Sequence, residues 1–266
     1  MAYRIYIDES GTQEGSEWLL IGMLFVPQHA LLHKALCVAK DAEEYWNQRE
    51  NRNARYRELH FAEVSSARDV RVGKRWIDAF LTHPGHFRCL AFEWSVWDGR
   101  YFGDAFEPDA LKKRRAYKKW CELLLQPELS TPLEGVEIRG AELYLDRLRL
   151  AYGYDVIDHL QQRFAPSPEF RGRTPWITKF QHTASCRDAN QCLQLADLLL
   201  GCLKQELMPS KRSEKTELNA YLGEQLNPYG VTRLGAGFWR QYHPVSLREK
   251  MPKFSAWFWQ PERKRR

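Results

Sequence analysis

Acidic residues interrupt apolar runs at three places in this 266-residue chain. Two short segments with alternating apolar residues end at Asp8 and Asp146, and Asp197 stands inside the apolar helical stretch 192–200. A carboxylate in a low-dielectric interior is unfavourable unless it is paired, hydrogen-bonded or bound to a cation. Three such carboxylates in one chain predict an acidic site that binds a divalent metal ion, Mg²⁺ or Mn²⁺.

The two strand aspartates hold matching positions relative to their neighbours. Asp8 shares a strand face with Tyr6, and Asp146 shares one with Tyr144, while aliphatic residues alternate onto the other face. Neighbouring strands with this parity would bring both carboxylates to one side of a sheet. Strand ends are where open α/β sheets bind their ligands, so we expect the site there.

The third aspartate lies on a polar helix face. Gln194, Asp197 and Gly201 share that face at positions i, i+3 and i+7, while leucines form the side toward the core. We expect the small Gly201 to let this face approach the strands closely. Three converging aspartates repel one another, and a bound divalent ion relieves the repulsion. A pair of such ions suits phosphodiester hydrolysis, because the ions activate water and stabilise the leaving oxygen.

Each aspartate also has a purely structural interpretation. Asp8 fits a turn residue at a strand end, and Asp146 fits an ion pair with Arg147 or Arg149. The structural interpretation is weakest for Asp197, because this residue stands within an apolar helix.

The sequence does not support two other enzyme classes. Glycoside hydrolysis needs a sugar cleft that the sequence does not indicate, and no Gly-rich loop supports an NTPase.

Four features taken in order resemble one protein family. They are Asp8-Glu9-Ser10-Gly11, Glu58-Leu59-His60, the strand aspartate Asp146 and Gln194-Leu195-Ala196-Asp197-Leu198. Over roughly residues 2–205 they resemble the domain-of-unknown-function 3800 family, regarded as a divergent branch of the ribonuclease H-like superfamily. Members of that superfamily cut or rearrange nucleic acids with two metal ions. The resemblance implies that Asp8, Glu58, Asp146 and Asp197 are catalytic metal ligands for Mg²⁺ or Mn²⁺.

Four further residues are candidates to support these ligands: Glu9, Ser10, His60 and Gln194. Glu9 alternates away from Asp8, so it points to the opposite face unless the strand ends at Asp8. Ser10 fits a hydrogen bond within the following turn. His60 is open to three interpretations: a general base, a phosphate contact or a plain surface histidine.

The net charge of +6 is unevenly distributed. Residues 248–266 carry seven Lys or Arg against two Glu, a net +5, and residues 112–119 carry six cations. We expect cations in these two segments to bind DNA or RNA, since basic clusters attract polyanions. These cations are Lys112, Lys113, Arg114, Arg115, Lys118, Lys119, Arg263, Lys264, Arg265 and Arg266. A solvated helix face and a solubilising tail are the alternative.

An aromatic segment, residues 254–259, stands among the C-terminal cations. Aromatic side chains beside cations can stack the bases of single-stranded nucleic acid. The other interpretation is an apolar segment that docks on the body of the protein.

Composition and segment lengths argue against several classes of protein. Hydrophobic residues make up 44% and charged residues 28%, which is typical of a globular chain. No apolar run approaches the ~20 residues that span a bilayer, and the N-terminus lacks a signal-peptide pattern. The six cysteines form no Cys-x-x-Cys pair, so a zinc ribbon is not expected. We therefore expect a cytoplasmic protein with reduced cysteines and no membrane partner.

Strands that alternate with helices after an initial hairpin predict an α/β fold. Strands are predicted over residues 2–8, 18–26, 87–97, 141–146 and 176–183. Helices are predicted over residues 30–49, 70–81, 108–127, 154–164 and 191–203, and an extended segment over 58–64. We expect residues 1–205 to form a ribonuclease H-like mixed sheet flanked by helices. Residues 206–266 are expected to be a C-terminal appendage with a basic aromatic tail.

These expectations favour a divalent-metal-dependent nuclease that hydrolyses phosphodiester bonds of DNA or RNA by a two-metal mechanism. Two alternatives stay open. One is a non-catalytic nucleic-acid-binding or regulatory module on the same fold. The other is a metal-dependent hydrolase of small phosphates, which would not need the basic C-terminal segment.

Overall fold

The computed structural model describes residues 3–11, 15–47, 55–130, 140–146, 156–164, 177–184, 187–226, 231–233, 239–241 and 253–258. Its strands are β1 (Arg4–Ser10), β2 (Trp18–Val26), β3 (His86–Glu93), β4 (Ala141–Asp146), β5 (Ile177–Thr183), β6 (Val231–Arg233), β7 (Trp239–Gln241) and β8 (Phe254–Phe258). Its helices are α1 (His29–Ala42), α2 (Ala67–Thr82), α3 (Asp109–Ser130), α4 (Val156–Phe164), α5 (Gln191–Leu207) and α6 (Ser213–Leu226).

Six of the described strands form one mixed sheet in the order β5-β4-β1-β2-β3-β8. β2 pairs antiparallel with both β1 and β3. β4 runs parallel to β1, β5 parallel to β4, and β8 parallel to β3. The described parts of β6 and β7 pair with each other in a small second sheet. The fold class is therefore α/β with a mixed sheet flanked by helices, as predicted.

Each face of the sheet is covered by helices, which explains why its central strands are apolar on both faces. Tyr6 belongs to a buried core that includes Trp76 of α2 and the apolar side of α5. Ile7 belongs to a second buried core with Trp120 of α3 and Leu160 of α4. Strand alternation thus directs neighbouring residues of β1 to different helices.

Helix α1 is shorter than predicted. It ends at Ala42 rather than at residue 49. Glu44 adopts a left-handed conformation with φ of 50°. The Tyr45 N–H donates to the Lys40 carbonyl at 2.9 Å, and the Glu44 N–H donates to the Asp41 carbonyl at 3.1 Å. This is the Schellman pattern of a helix end, in which glycine is the usual left-handed residue.

Other element boundaries also differ from the sequence prediction. Helix α2 begins at Ala67 rather than at residue 70, because Ser66 and Asp69 form a capping box. β3 ends at Glu93 rather than at residue 97, since a 3-10 turn follows it. The predicted extended segment 58–64 contains a second 3-10 turn, Phe61–Glu63. That turn contacts the candidate site.

The described elements α6 and β8, which follow residue 205, pack on the sheet domain more closely than the sequence pattern indicates. α6 lies where no helix is predicted, and its Leu218, Leu222 and Leu226 are buried against α2 and α5. In β8, the ring of Phe254 is buried with its centroid 5.2 Å from that of Phe87. The aromatic segment therefore docks on the protein body through Phe254 and through the pairing of β8 with β3, while Trp257 is exposed. The expected domain boundary after residue 205 lies within α5.

Candidate active site

The parallel pairing of β1 with β4 positions the two strand aspartates. Tyr6 pairs with Tyr144, and their rings stack with centroids 5.4 Å apart. Asp8 and Asp146 follow two residues further along each strand, so both belong to the face of the stacked tyrosines. The structure thus brings together two carboxylates that are distant in sequence, on neighbouring strands of matched parity.

Gly22 explains how α5 comes close to this face. It pairs directly with Asp8 across β1 and β2, so the two residues share a face of the sheet. A Cβ atom at Gly22 would lie 2.8 Å from Cζ of Phe87 and 3.1 Å from Cδ1 of Leu200. The missing side chain therefore makes room for Leu200 of α5 beside Asp8.

Asp8 lies in a strongly acidic environment. Its side chain is buried, with 8% of the residue exposed. Burial raises the pKa of its carboxyl group well above the ordinary value, and the charges of Asp197, Glu9 and Asp146 raise it further. A backbone hydrogen bond from Glu9 opposes this rise. β1, β4 and α5 therefore each contribute a carboxylate to one electrostatically coupled group.

The polar face of α5 binds a loop rather than the strands. Oε1 of Gln194 accepts the Leu59 N–H at 3.0 Å, and Oδ2 of Asp197 accepts the Phe61 N–H at 2.6 Å. A Cβ atom at Gly201 would lie only 2.1 Å from Cγ of Phe61. The expectation that Gly201 lets α5 approach the strands was wrong, because its close neighbour is the Phe61 ring.

A buried lysine holds the same loop from the other side. Lys40 of α1 is fully buried, and its Nζ donates to the Arg57 carbonyl at 2.6 Å and to Gln194 Oε1 at 2.9 Å. Its ammonium also lies 4.9 Å from the ring centroid of Trp76. Burial lowers the pKa of Lys40 to about 7. Lys40 is not among the predicted site residues, although it follows Leu36 at the helical spacing of the buried face of α1.

His60 forms an ion pair with the helix aspartate. Its Nδ1 lies 2.8 Å from Oδ2 of Asp197, and this hydrogen bond raises the pKa of His60 to about 9. The imidazole is therefore protonated at neutral pH and donates to the carboxylate, so it is not a free base in this state. Glu58, half-buried on the same loop, raises the pKa values of both His60 and Lys40 through its charge.

Glu9 belongs to the opposite face of the sheet. β1 continues through Ser10, so the alternation that begins at Asp8 is kept. The Tyr117 hydroxyl of α3 donates to Oε2 of Glu9 at 3.0 Å. Burial is the main reason that the pKa of Glu9 rises to about 8, and the charge of Asp146 adds to it. Tyr117 was missed by the sequence analysis, since its contact is with a distant strand. Ser10 pairs with Leu20 at the end of β1.

The cations of α3 are largely engaged in the structure. Lys112 is only 8% exposed. Three others form ion pairs: Lys113 with Asp109 at 3.2 Å, Arg115 with Glu107 through a 2.7 Å Nη2–Oε1 contact, and Lys119 with Glu122 at 3.2 Å. Their charges are therefore partly compensated, which weakens the attraction of this helix for a polyanion. The predicted tail cations Arg263–Arg266 lie outside the described residues, as do Arg147 and Arg149.

Within the described ranges, no three His, Cys, Asp or Glu side chains are placed as a ready metal-binding group. Mg²⁺ or Mn²⁺ binding therefore stays a prediction.

The described part of the chain contains no helix that is long and apolar enough to cross a membrane. Comparison of the sequence and structure with protein-family models, curated proteins and solved structures gave no match. The resemblance to the domain-of-unknown-function 3800 family thus stays a prediction.

Proposed function

We propose that the protein is a divalent-metal-dependent nuclease of ribonuclease H-like fold, in which Asp8, Asp146 and Asp197 hold Mg²⁺ or Mn²⁺. The main support for this proposal is the position of Asp8. It is buried at the point where β4 and α5 each bring a further carboxylate that raises its pKa. Such an accumulation of negative charge away from water is unfavourable, and a bound cation would relieve it.

The chemistry of the donor set fits a hard divalent ion. The three side chains offer carboxylate oxygens, which are the ligands that Mg²⁺ and Mn²⁺ prefer. When bound, such ions would supply an activated water and stabilise the leaving oxygen of a phosphodiester. Glu58 is the candidate fourth ligand, because its loop is attached to α5 beside Asp197.

The surrounding residues have defined tasks in this proposal. The Phe61 N–H and His60 both contact Oδ2 of Asp197, which fixes the carboxylate through one of its two oxygens. Gln194 and Lys40 fasten the backbone on either side of Glu58, at Leu59 and Arg57. These contacts preorganise the acidic residues, so less conformational freedom is lost when substrate binds.

A cleavage assay tests the proposal. The wild type should cut a labelled DNA or RNA oligonucleotide in Mg²⁺ or Mn²⁺ and stop on addition of EDTA. Asp146→Asn and Asp197→Asn should each lower the rate by about 10²–10³-fold, the usual effect of losing one electrostatic contact to a transition state. Glu224→Gln changes an exposed carboxylate of α6 in the same way and serves as the matched control.

The same assay separates the alternatives. Oligonucleotide binding without turnover in any divalent ion would favour a non-catalytic module. Turnover of a small phosphomonoester in place of an oligonucleotide would favour a small-phosphate hydrolase. Wild-type cleavage rates in both asparagine variants would contradict the proposed site.

A further inference from the structure

Three cationic side chains meet where α5 is joined to α6: Lys204, Arg212 and Lys215. Nζ of Lys215 donates to the Ala62 carbonyl at 2.9 Å, and Nη1 of Arg212 lies 3.4 Å from the same oxygen. The charges of Arg212 and Lys204 both act on Lys215, after burial, to lower its pKa. We call these three residues the α5–α6 cation cluster.

The α5–α6 cation cluster lies beside the proposed metal ligands. Nζ of Lys215 is 5.3 Å from the ring centroid of Phe61, whose own N–H donates to Asp197 at 2.6 Å. The charge of Asp197 also acts on Lys215. Phe61 therefore contacts both Lys215 and Asp197.

The cations of this cluster have no ion-pair partner among the described carboxylates. Three nearby acidic residues have other contacts: Glu206 accepts from Asn219 at 2.6 Å, Glu217 pairs with Lys74 at 2.7 Å, and Glu214 accepts from the Ser213 hydroxyl at 3.2 Å. Arg212 and Lys215 use carbonyl oxygens as acceptors instead. The contrast with α3 is direct, because three of the α3 cations each have a carboxylate partner.

The position on α6 adds to the excess of positive charge. Arg212 precedes the first residue of α6, and Lys215 lies in its first turn. The helix dipole places positive partial charge at this end, and Glu214 is the acidic residue of the same turn, so one carboxylate stands against two cations and the helix end. An anion between them would be stabilised by the side chains and by the helix end together.

We infer that the α5–α6 cation cluster, rather than the basic segment of α3, binds a backbone phosphate of the nucleic acid next to the scissile one. This inference rests on the proposed nuclease function. Lysine and arginine are the usual phosphate-binding side chains, and their contacts release counterions from the polyanion. The cluster would therefore set both the affinity and the position of the strand over Asp197.

The test measures binding and cleavage separately. Anisotropy of a short labelled single-stranded DNA, and of an RNA of the same sequence, is measured in EDTA over a range of salt concentrations. Arg212→Gln/Lys215→Gln should bind several-fold more weakly at low salt, with a log–log salt slope shallower by about 0.7 per lost contact. Lys113→Gln/Arg115→Gln, which removes the same charge from α3, should keep wild-type affinity and slope.

A charge-conserving variant guards against a purely structural effect, because both side chains also support the Ala62 carbonyl. Arg212→Lys/Lys215→Arg should retain the wild-type affinity and salt slope. Wild-type binding by the glutamine double variant, or weak binding by the charge-conserving variant, overturns the inference. If the wild type binds through the cluster but never cleaves, the nuclease proposal fails and the binding site stands. If it cleaves while the glutamine variant binds normally, only the binding site fails.

Discussion

Asp8 and Glu9 are adjacent on β1 and belong to opposite faces of the sheet, yet burial raises the pKa of both carboxyl groups. Glu9 faces α3, where the Tyr117 hydroxyl donates to it at 3.0 Å. Asp8 faces α5, which brings the carboxylate of Asp197. The alternation of one strand thus gives Glu9 a hydrogen-bond donor and Asp8 the charge of Asp197, while the charge of Asp146 acts on both.

Under the proposed function, this difference distinguishes a carboxylate with a hydroxyl donor from one whose ionised form a bound cation would stabilise. The Tyr117 hydrogen bond lowers the pKa of Glu9, but it offsets only part of the effect of burial. Asp8 has carboxylates as its main charged neighbours, so its ionised form is unfavourable until a cation arrives. Burial alone therefore does not identify a metal ligand. In the proposed site, the residue that the facing helix contributes distinguishes Asp8 from Glu9.

The largest expected difference between the two faces is in catalysis. Asp8→Asn should lower kcat/KM for oligonucleotide cleavage by about 10²–10³-fold, because it removes a contact to the charge that develops in the reaction. Glu9→Gln should lower it by less than about tenfold, since its partner is Tyr117 and the change keeps an acceptor for that hydroxyl. Steady-state cleavage in Mn²⁺ measures both. Equal losses of kcat/KM in the two variants would mean that Glu9 belongs to the proposed active site, and the two faces of β1 would then not differ in catalysis.

The next effect is on stability as a function of pH in metal-free buffer. The pKa of Glu9 rises from an ordinary 4.5 to about 8 in the folded protein. The folded state therefore holds this proton more tightly, so the stabilisation is complete below about pH 4.5 and is lost as the pH rises through 8. Over that window the group changes the unfolding free energy by at most about 1.4 kcal/mol per pH unit.

Urea unfolding at several pH values, with EDTA present, checks this dependence. Glu9→Gln should have a flatter profile than the wild type, because one titrating group is gone. Tyr117→Phe should extend the loss of unfolding free energy to higher pH, since the Tyr117 hydrogen bond opposes the rise in the pKa of Glu9. Part of the slope that persists in Glu9→Gln belongs to Asp8 and should be reduced in the double variant with Asp8→Asn, while the titrations of His60 and Lys40 remain. Identical profiles for wild type and Glu9→Gln would show that Glu9 does not titrate in this window.

Local sequence patterns were sufficient to predict the strands that carry the two aspartates. In β1 and β4 the alternation of aliphatic and aromatic residues fixes which side chains share a face, and it holds whatever the strands pair with. Short segments were therefore enough to predict that Asp8 shares a strand face with Tyr6 and that Asp146 shares one with Tyr144. The buried side of α5 could be predicted for the same reason, because leucines recur at helical spacing.

Contacts between distant segments could not be predicted in this way. The polar face of α5 meets the loop at Phe61, and nothing near Gly201 in the sequence specifies that partner. Helix α6 was missed because its buried leucines, Leu218 and Leu222 among them, stand between polar residues and give a weak pattern. The end of α1 depends on Glu44 in a left-handed conformation, which carries no sequence signal.

The smallest expected effect, and the most specific for the acidic group, is stabilisation by metal. A divalent ion that binds only the folded state at ten times its Kd should raise the unfolding free energy by about 1.4 kcal/mol and Tm by about 3–5 °C. Glu9→Gln should keep this gain, because Tyr117 and not the ion satisfies Glu9. Asp197→Asn should lose most of it, since the variant removes one of the three proposed ligands.

Thermal unfolding in Mg²⁺ or Mn²⁺, compared with NaCl of equal ionic strength, separates site binding from general screening. Asparagine keeps an oxygen that can accept the Phe61 N–H, so the loop contact to α5 is not the quantity under test. In metal-free buffer, loss of the Asp197 charge should also lower the pKa of Asp8, because that charge is one cause of its rise. A metal-dependent gain of wild-type size in Asp197→Asn would remove α5 from the proposed metal site. The contrast between Asp8 and Glu9 would then depend on the Tyr117 hydrogen bond alone, because the charge of Asp146 raises the pKa of both carboxyl groups.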